Sequence, residues 1–229
     1  MNKNLQLAEK YLSVLSQHDL ANIYDGSPGY SAVFLPSVSE SYFSSNIRTM
    51  IIGKETRGWY NNTCSGKLNQ KFELDDVVTS QERHAKFLSE PHPRSKFFQF
   101  YRKACATLNG EKKCSGESII WSNLMCVSHH SKSPVKSKSF DEVNTLSKKL
   151  LLAQIEVLQP ELMLFVTGTS YDKYIREFFP NRVTIKVIKP RSLWHFDIDS
   201  AQCFRTSHPQ WGKGEKYREQ AMSLAMVEI

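Results

Sequence analysis

Three short apolar runs stand out against longer stretches of helical periodicity. Thr49-Met50-Ile51-Ile52 ends at Gly53, Ser118-Ile119-Ile120-Trp121 leads into Ser122-Asn123-Leu124, and Leu162-Met163-Leu164-Phe165-Val166 ends at Thr167-Gly168. Runs this short, bounded by turn residues, predict buried strands. Residues 183–188 alternate and predict another strand. Leu193-Trp194-His195-Phe196 predicts an outer strand or loop, and residues 202–206 lead into Ser207-His208-Pro209.

Helical spacing fills the intervals. Residues 3–22 place Leu5, Ala8, Leu12 and Leu15 on one stripe and end in the turn at 26–29. Helices are predicted over about 80–89 and 93–108, the second with Phe97, Tyr101, Ala104, Cys105 and Leu108 on a core face and Asn109-Gly110 as its C-cap. A long helix covers about 141–158 through Val143, Leu146, Leu150, Ile155 and Leu158. Another carries Tyr171, Tyr174, Ile175 and Phe178 and stops at Pro180, and a last one covers about 214–227. Residues 30–47 read as an irregular approach to the first strand, and 60–80 as a long loop. Strands alternating with helices predict one α/β domain over residues 1–229: an N-terminal helix and lead-in over 1–46, then a core over 47–229. The expected core is a three-layer α/β/α arrangement around a mostly parallel four-stranded sheet.

Composition narrows the class. A chain of 229 residues with 40% hydrophobic and 23% charged residues can bury a substantial core without staples. Its net charge of +7 and sequence pI near 9.1 favour an acidic partner, nucleic acid first. Five cysteines, with no C-x-x-C pair, and no visible secretory signal predict a reduced, cytoplasmic protein. No run reaches the roughly 18 apolar residues of a membrane span, and the cysteine spacing gives no support for a structural zinc.

Strands of a parallel sheet share one carboxyl edge, and ligands bind there. The predicted strands end at Glu55, Asn123, Gly168 and His208. A carboxylate can orient water, an amide can read a polar edge with a donor and an acceptor, and an imidazole can donate to a developing oxyanion. The loop Ser128-His129-His130-Ser131-Lys132-Ser133-Pro134-Val135-Lys136-Ser137-Lys138-Ser139 offers hydroxyls and lysines with no acidic side chain, which suits phosphate-backbone contact. A solvated linker has the same composition. The paired histidines lack a carboxylate or cysteine at ligand spacing, so no metal is expected.

Four segments carry a family likeness. They are Met50-Ile51-Ile52-Gly53-Lys54-Glu55-Thr56, then Ile119-Ile120-Trp121-Ser122-Asn123-Leu124, then the stretch from Leu158 to Gly168, and finally Ser207-His208-Pro209. In this order they resemble the motifs of the uracil-DNA glycosylase superfamily across about residues 47–215. The family's first strand ends in Gly, any residue, then Asp or Asn. Its middle strand ends in a base-reading Asn, and its last motif is His-Pro followed by a small loop. This chain departs from the pattern in three places. Glu55 replaces the shorter acid and is followed by Thr56-Arg57-Gly58 instead of Pro. Gln210-Trp211-Gly212 stands where the family has Ser-Pro and an apolar wedge. The motif that excludes larger pyrimidines is not recognisable.

The resemblance implies a uracil-DNA glycosylase-like fold and a monomeric, monofunctional glycosylase. It would act without a cofactor on uracil or a modified pyrimidine, in DNA repair or in defence against phage with modified bases. Glu55 and His208 are the implied catalytic pair and Asn123 the base reader. Trp59, Tyr60 or Phe72 would stack on the base, and Trp211 would act as the wedge. Lys132, Ser133, Lys136, Lys138, Ser207, Gln210, Trp211 and Lys213 are the expected DNA contacts. Lys54 adjoins the acid, yet nothing marks it as a Schiff-base nucleophile, so no lyase step is expected. Two alternatives stay open: a non-catalytic nucleic-acid-binding or sensing protein on the same fold, and a nucleoside hydrolase.

Overall fold

Six strands form one mixed sheet in the order β2-β1-β3-β6-β5-β4. They are β1 (Thr49–Gly53), β2 (Ile119–Asn123), β3 (Leu162–Phe165), β4 (Val183–Lys189), β5 (Leu193–Ile198) and β6 (Ala201–Arg205). The computed structural model describes residues 2–26, 29–60, 72–92, 94–110 and 117–228. Its helices are α1 (Lys3–Leu15), α2 (Leu20–Gly26), α3 (Glu40–Phe43), α4 (Leu74–Ser89), α5 (Lys96–Asn109), α6 (Phe140–Leu158), α7 (Asp172–Phe178) and α8 (Glu215–Glu228). The fold is α/β, its sheet mostly parallel and flanked by helices.

The expected four strands become six. β1 pairs with β3 and β3 with β6 in parallel, each register fixed over four residues. β4, β5 and β6 instead form an antiparallel meander. The reason is loop length. Residues 190–192 and 199–200 are too short for a parallel crossover, and Arg191 and Asp199 take the positive φ of tight turns. β4 is an exposed edge strand, with Val183, Ile185 and Val187 each more than half exposed. Two register irregularities and Lys186 blunt that edge.

Two helix boundaries also differ from expectation. The first predicted helix breaks after Leu15 because the Asp19 carboxylate accepts from the Ala21 N–H at 3.0 Å and the Asn22 N–H at 3.4 Å, starting α2 afresh. α4 begins at Leu74, inside the predicted loop. There the Glu73 N–H donates to the Asp76 carboxylate at 3.0 Å, and Asp75 and Asp76 complement the helix dipole. The remainder of that predicted loop, residues 61–71, lies outside the described residues, as do Ser27 and Pro28 of the predicted turn, Pro93, Cys64 and Cys114.

The chain forms two compact units. The first comprises Met1–Ser37, Lys54–Ala85 and Asn123–Leu158; the second comprises Val38–Gly53, Lys86–Ser122 and Gln159–Ile229. In the first, α1 packs along α6, with Leu7, Tyr11, Leu15, Val143 and Leu150 buried. In the second, α5 lies on β2 through Phe97 and Phe98 against Trp121, and α7 is tied to β6 by the Arg205–Asp172 ion pair. The sheet core there is aromatic: Phe165 meets Phe179 and Phe196, and Trp194 stacks on Phe196.

Candidate functional site

In the first unit, the loops following β1 and β2 are bound to each other. The Met125 N–H donates to the Lys54 carbonyl at 2.8 Å, one residue before Glu55 and two after Asn123. Further on, the Gly58 N–H donates to the Ser128 hydroxyl at 3.2 Å. The extended segment 31–34 continues this scaffold. The Ala32 N–H reaches the Trp59 carbonyl at 3.0 Å, and the Phe34 N–H reaches the Cys126 carbonyl at 2.8 Å. Ser31 and Ser128 exchange two further bonds of 2.9 Å each, and the Ser147 hydroxyl of α6 accepts from the Cys126 N–H at 3.0 Å. These bonds satisfy backbone groups that the loops would otherwise bury unpaired. Glu55, half-buried, and Asn123 are held in fixed relation on this frame.

Asn123 closes β2 and is only 6% exposed, and its Nδ2 has no hydrogen-bond partner among the described residues. The Thr56 hydroxyl, also buried, is in the same condition. A buried donor left unsatisfied costs about 1–3 kcal/mol, a cost that an ordered water or a ligand group removes by accepting from it.

The aromatic candidates divide. Trp59 is 6% exposed and packed edge-on against Phe34 at 5.0 Å, so its ring is core filling. Tyr60 is half-buried, takes φ 47°, and lies under the Arg83 guanidinium at 5.2 Å. Phe72 is half-buried.

Behind Trp59 sits His84, fully buried, its Nδ1 accepting from the Ser37 N–H at 3.1 Å. Burial pushes its pKa down to about 3. Because the folded value lies below the ordinary value of 6.5, the unfolded chain takes up the proton first. Stability held above about pH 6.5 is then lost toward pH 3, by up to about 1.4 kcal/mol per pH unit. Urea unfolding should show a loss of about 2 kcal/mol between pH 7 and 5, absent in His84→Gln. Equal pH slopes in the two proteins would exclude His84 as the cause.

The lysine loop is closed by its own hydrogen bonds. His129 and Lys132 exchange backbone bonds of 2.9 Å across His130 and Ser131, both at positive φ, which makes a tight turn. The His130 ring occupies the space a Cβ on Gly29 would need, 2.4 Å away. Ser133 caps the short helix Pro134–Lys136 through the Val135 N–H, and the Tyr30 hydroxyl bonds that of Ser137. Lys132, Lys136 and Lys138 are exposed on this frame.

In the second unit, β6 ends at Arg205 and delivers His208 on the following loop. The Gln210 N–H donates to His208 Nδ1 at 3.2 Å, which leaves the proton of a neutral ring on Nε2. Phe97 stacks on the ring at 6.3 Å, and the Trp211 N–H donates to the His208 carbonyl at 2.9 Å. Ser207 is buried, its hydroxyl accepting from Arg218 at 3.0 Å, whereas Gln210, Lys213 and Trp211 are exposed, Trp211 at 49%. A groove of about 190 Å³ beside this loop is lined by Lys96, Gln99, Lys103, Gln210, Arg218 and Glu219 among others.

Sequence reasoning passed over Arg218, Ser31 and His84. Arg218 reads as one more charge on an amphipathic helix, and nothing local marks its side chain as buried. Among the described residues, no group of three or more His, Cys, Asp or Glu could hold a metal, and no helix is long and apolar enough to cross a membrane. Cys105, Cys126 and Cys203 are buried thiols in no disulfide, and burial raises the thiol pKa of Cys126 to about 12. The chain matches no family model, and no curated protein is significantly similar to it.

Proposed function

We propose that the protein is a monofunctional DNA glycosylase acting on an extruded uracil or modified pyrimidine, on a uracil-DNA glycosylase-like fold. The observation that carries this reading is Asn123: a buried amide whose donor has no partner among the described residues, at the carboxyl end of a strand and tied to the loop of Glu55. An amide in that state suits the polar edge of a pyrimidine, which returns one donor and one acceptor. The motif order supports the reading, and so does the sheet, where β1, β3 and β6 lie parallel beside β2.

Extruding the nucleotide costs a few kcal/mol of stacking, offset by contacts to the base and backbone. Departure of the base leaves an oxocarbenium-like sugar and puts the bonding electron pair on the base. Glu55 favours the developing cation and orients a water whose oxygen bonds C1′. His208, with its proton on Nε2, donates to the base oxygen as charge develops there. The water's proton balances the charge on the departing base, leaving an abasic sugar and a free base. Trp211, a large exposed apolar side chain, suits the space vacated in the duplex. Lys132, Lys136 and Lys138 suit backbone phosphates.

Duplex and single-stranded oligonucleotides carrying uracil, thymine mismatches, alkylated bases or hydroxymethylcytosine derivatives test this. At least one should yield alkali-labile abasic sites. DNA binding without such sites would favour a non-catalytic binding protein, and release of bases from free nucleosides alone would favour a nucleoside hydrolase. Affinity should fall with salt, each lysine on a phosphate adding about 0.9 to the log–log slope. Replacing Lys132, Lys136 and Lys138 by Ala should remove up to about 2.7 of that slope.

A further inference from the structure

We infer that Arg218 is the positioning residue for His208, an assignment resting on the role given to His208 above. Arg218 lies on α8, ten residues past the histidine, and is only 5% exposed. Its Nη1 stands 3.0 Å from the Ser207 hydroxyl, 3.4 Å from the Ser207 and His208 carbonyls, and 3.3 Å from that of Trp211. One donor group therefore faces the negative ends of three loop carbonyls. The guanidinium also lies 5.8 Å from the Phe100 ring centroid. A guanidinium suits this place because its fixed fork carries several donors and keeps its charge when buried. Burial lowers its proton affinity, offset by Glu215 and Glu219 on the same helix.

The bonds transmit this hold to the imidazole. Fixing the His208 and Trp211 carbonyls fixes the turn between them, because the Trp211 N–H donates back to His208 and the Gly214 N–H donates to Trp211 at 3.0 Å. The same turn aims the Gln210 N–H at His208 Nδ1, which sets the tautomer. Closure is tight: a Cβ on Gly214 would lie 1.8 Å from the Ser207 hydroxyl. In this arrangement Arg218 touches no substrate and acts only through the loop.

The test compares the full chain with Arg218→Met and Arg218→Lys, reading two signals. The first is the His208 tautomer at pH 8.5, from long-range proton–nitrogen correlation with His208→Gln for assignment. The wild type should show the Nε2–H form alone, Arg218→Met a mixture, and Arg218→Lys an intermediate pattern. The second is abasic-site formation, where Arg218→Met should lose about 10- to 100-fold in kcat while KM moves about twofold or less. A folded Arg218→Met with wild-type tautomer and kcat overturns the assignment. If the wild type excises no base, the glycosylase reading fails and the tautomer alone decides the clasp. Should Arg218→Met not fold, Arg218→Lys carries the measurement: partial tautomer mixing supports the clasp, and an unchanged tautomer overturns it.

Discussion

Glu55→Gln should lower the rate of abasic-site formation by roughly 10²- to 10⁴-fold, the range for a carboxylate that positions and activates water. His208→Ala should lower it by about 10²- to 10³-fold, as for loss of one donor to a developing oxyanion. Both losses should fall on kcat, because the partners involved, a water and a charge, belong to the transition state. Neither variant should unfold the protein. Glu55 is half-buried on a loop whose backbone bonds belong to Lys54 and Gly58, and His208 is half-buried beside Phe97. Single-turnover kinetics on the best substrate, with urea midpoints alongside, separate the outcomes. Wild-type kcat in both variants would remove the catalytic reading while leaving DNA binding intact.

Arg205→Ala should cost about 3 kcal/mol of stability, the lower end of the roughly 3–5 kcal/mol for breaking a buried ion pair. Arg205 ends β6 with its side chain 5% exposed, its Nε 2.8 Å and its Nη2 3.1 Å from the Asp172 carboxylate at the start of α7. Burial lifts the Asp172 carboxyl pKa in spite of the neighbouring guanidinium, and burial likewise lowers that of Arg205. Desolvation thus outweighs attraction for both groups, so removing one partner is worse than removing both. Arg205→Met combined with Asp172→Leu should lie close to the wild type, and a double-mutant cycle from urea unfolding measures the difference. Equal losses in Arg205→Ala and in the double variant would show that the pair holds nothing. The lower end applies because Asp172 keeps 20% of its side-chain exposure and water can reach it.

Much of the fold was legible in the chain. Apolar runs at 49–52, 119–121 and 162–166 predict buried strands, and all three form them wholly buried, β1 and β3 inside the sheet and β2 at its edge. The motif residues at their ends followed, since Gly53, Asn123 and Gly168 punctuate those runs wherever the strands sit. The meander was less legible. Val183, Ile185 and Val187 alternate as a half-buried strand would, yet they are exposed, and only the two short connections force antiparallel pairing. The starts of α2 and α4 were written in Asp19 and in Glu73 with Asp76, whose capping carboxylates outweigh the continuing helical period.

By itself the sequence determined the three buried strands, their ends and most of the helices, because burial pattern and turn chemistry are local. Tertiary structure decided which of those residues are open and which are filled. Trp59 and Tyr60 are chain neighbours of like chemistry, but Phe34 and His84, distant in sequence, close over the first. Ser207 is expected as a DNA contact from its place in the chain, but it is buried and bonded to Arg218 of the last helix. The sequence leaves open what accepts from the Asn123 amide, and only the tertiary structure shows that none of the described residues does. Such facts depend on groups far apart along the chain, and local periodicity carries no record of them.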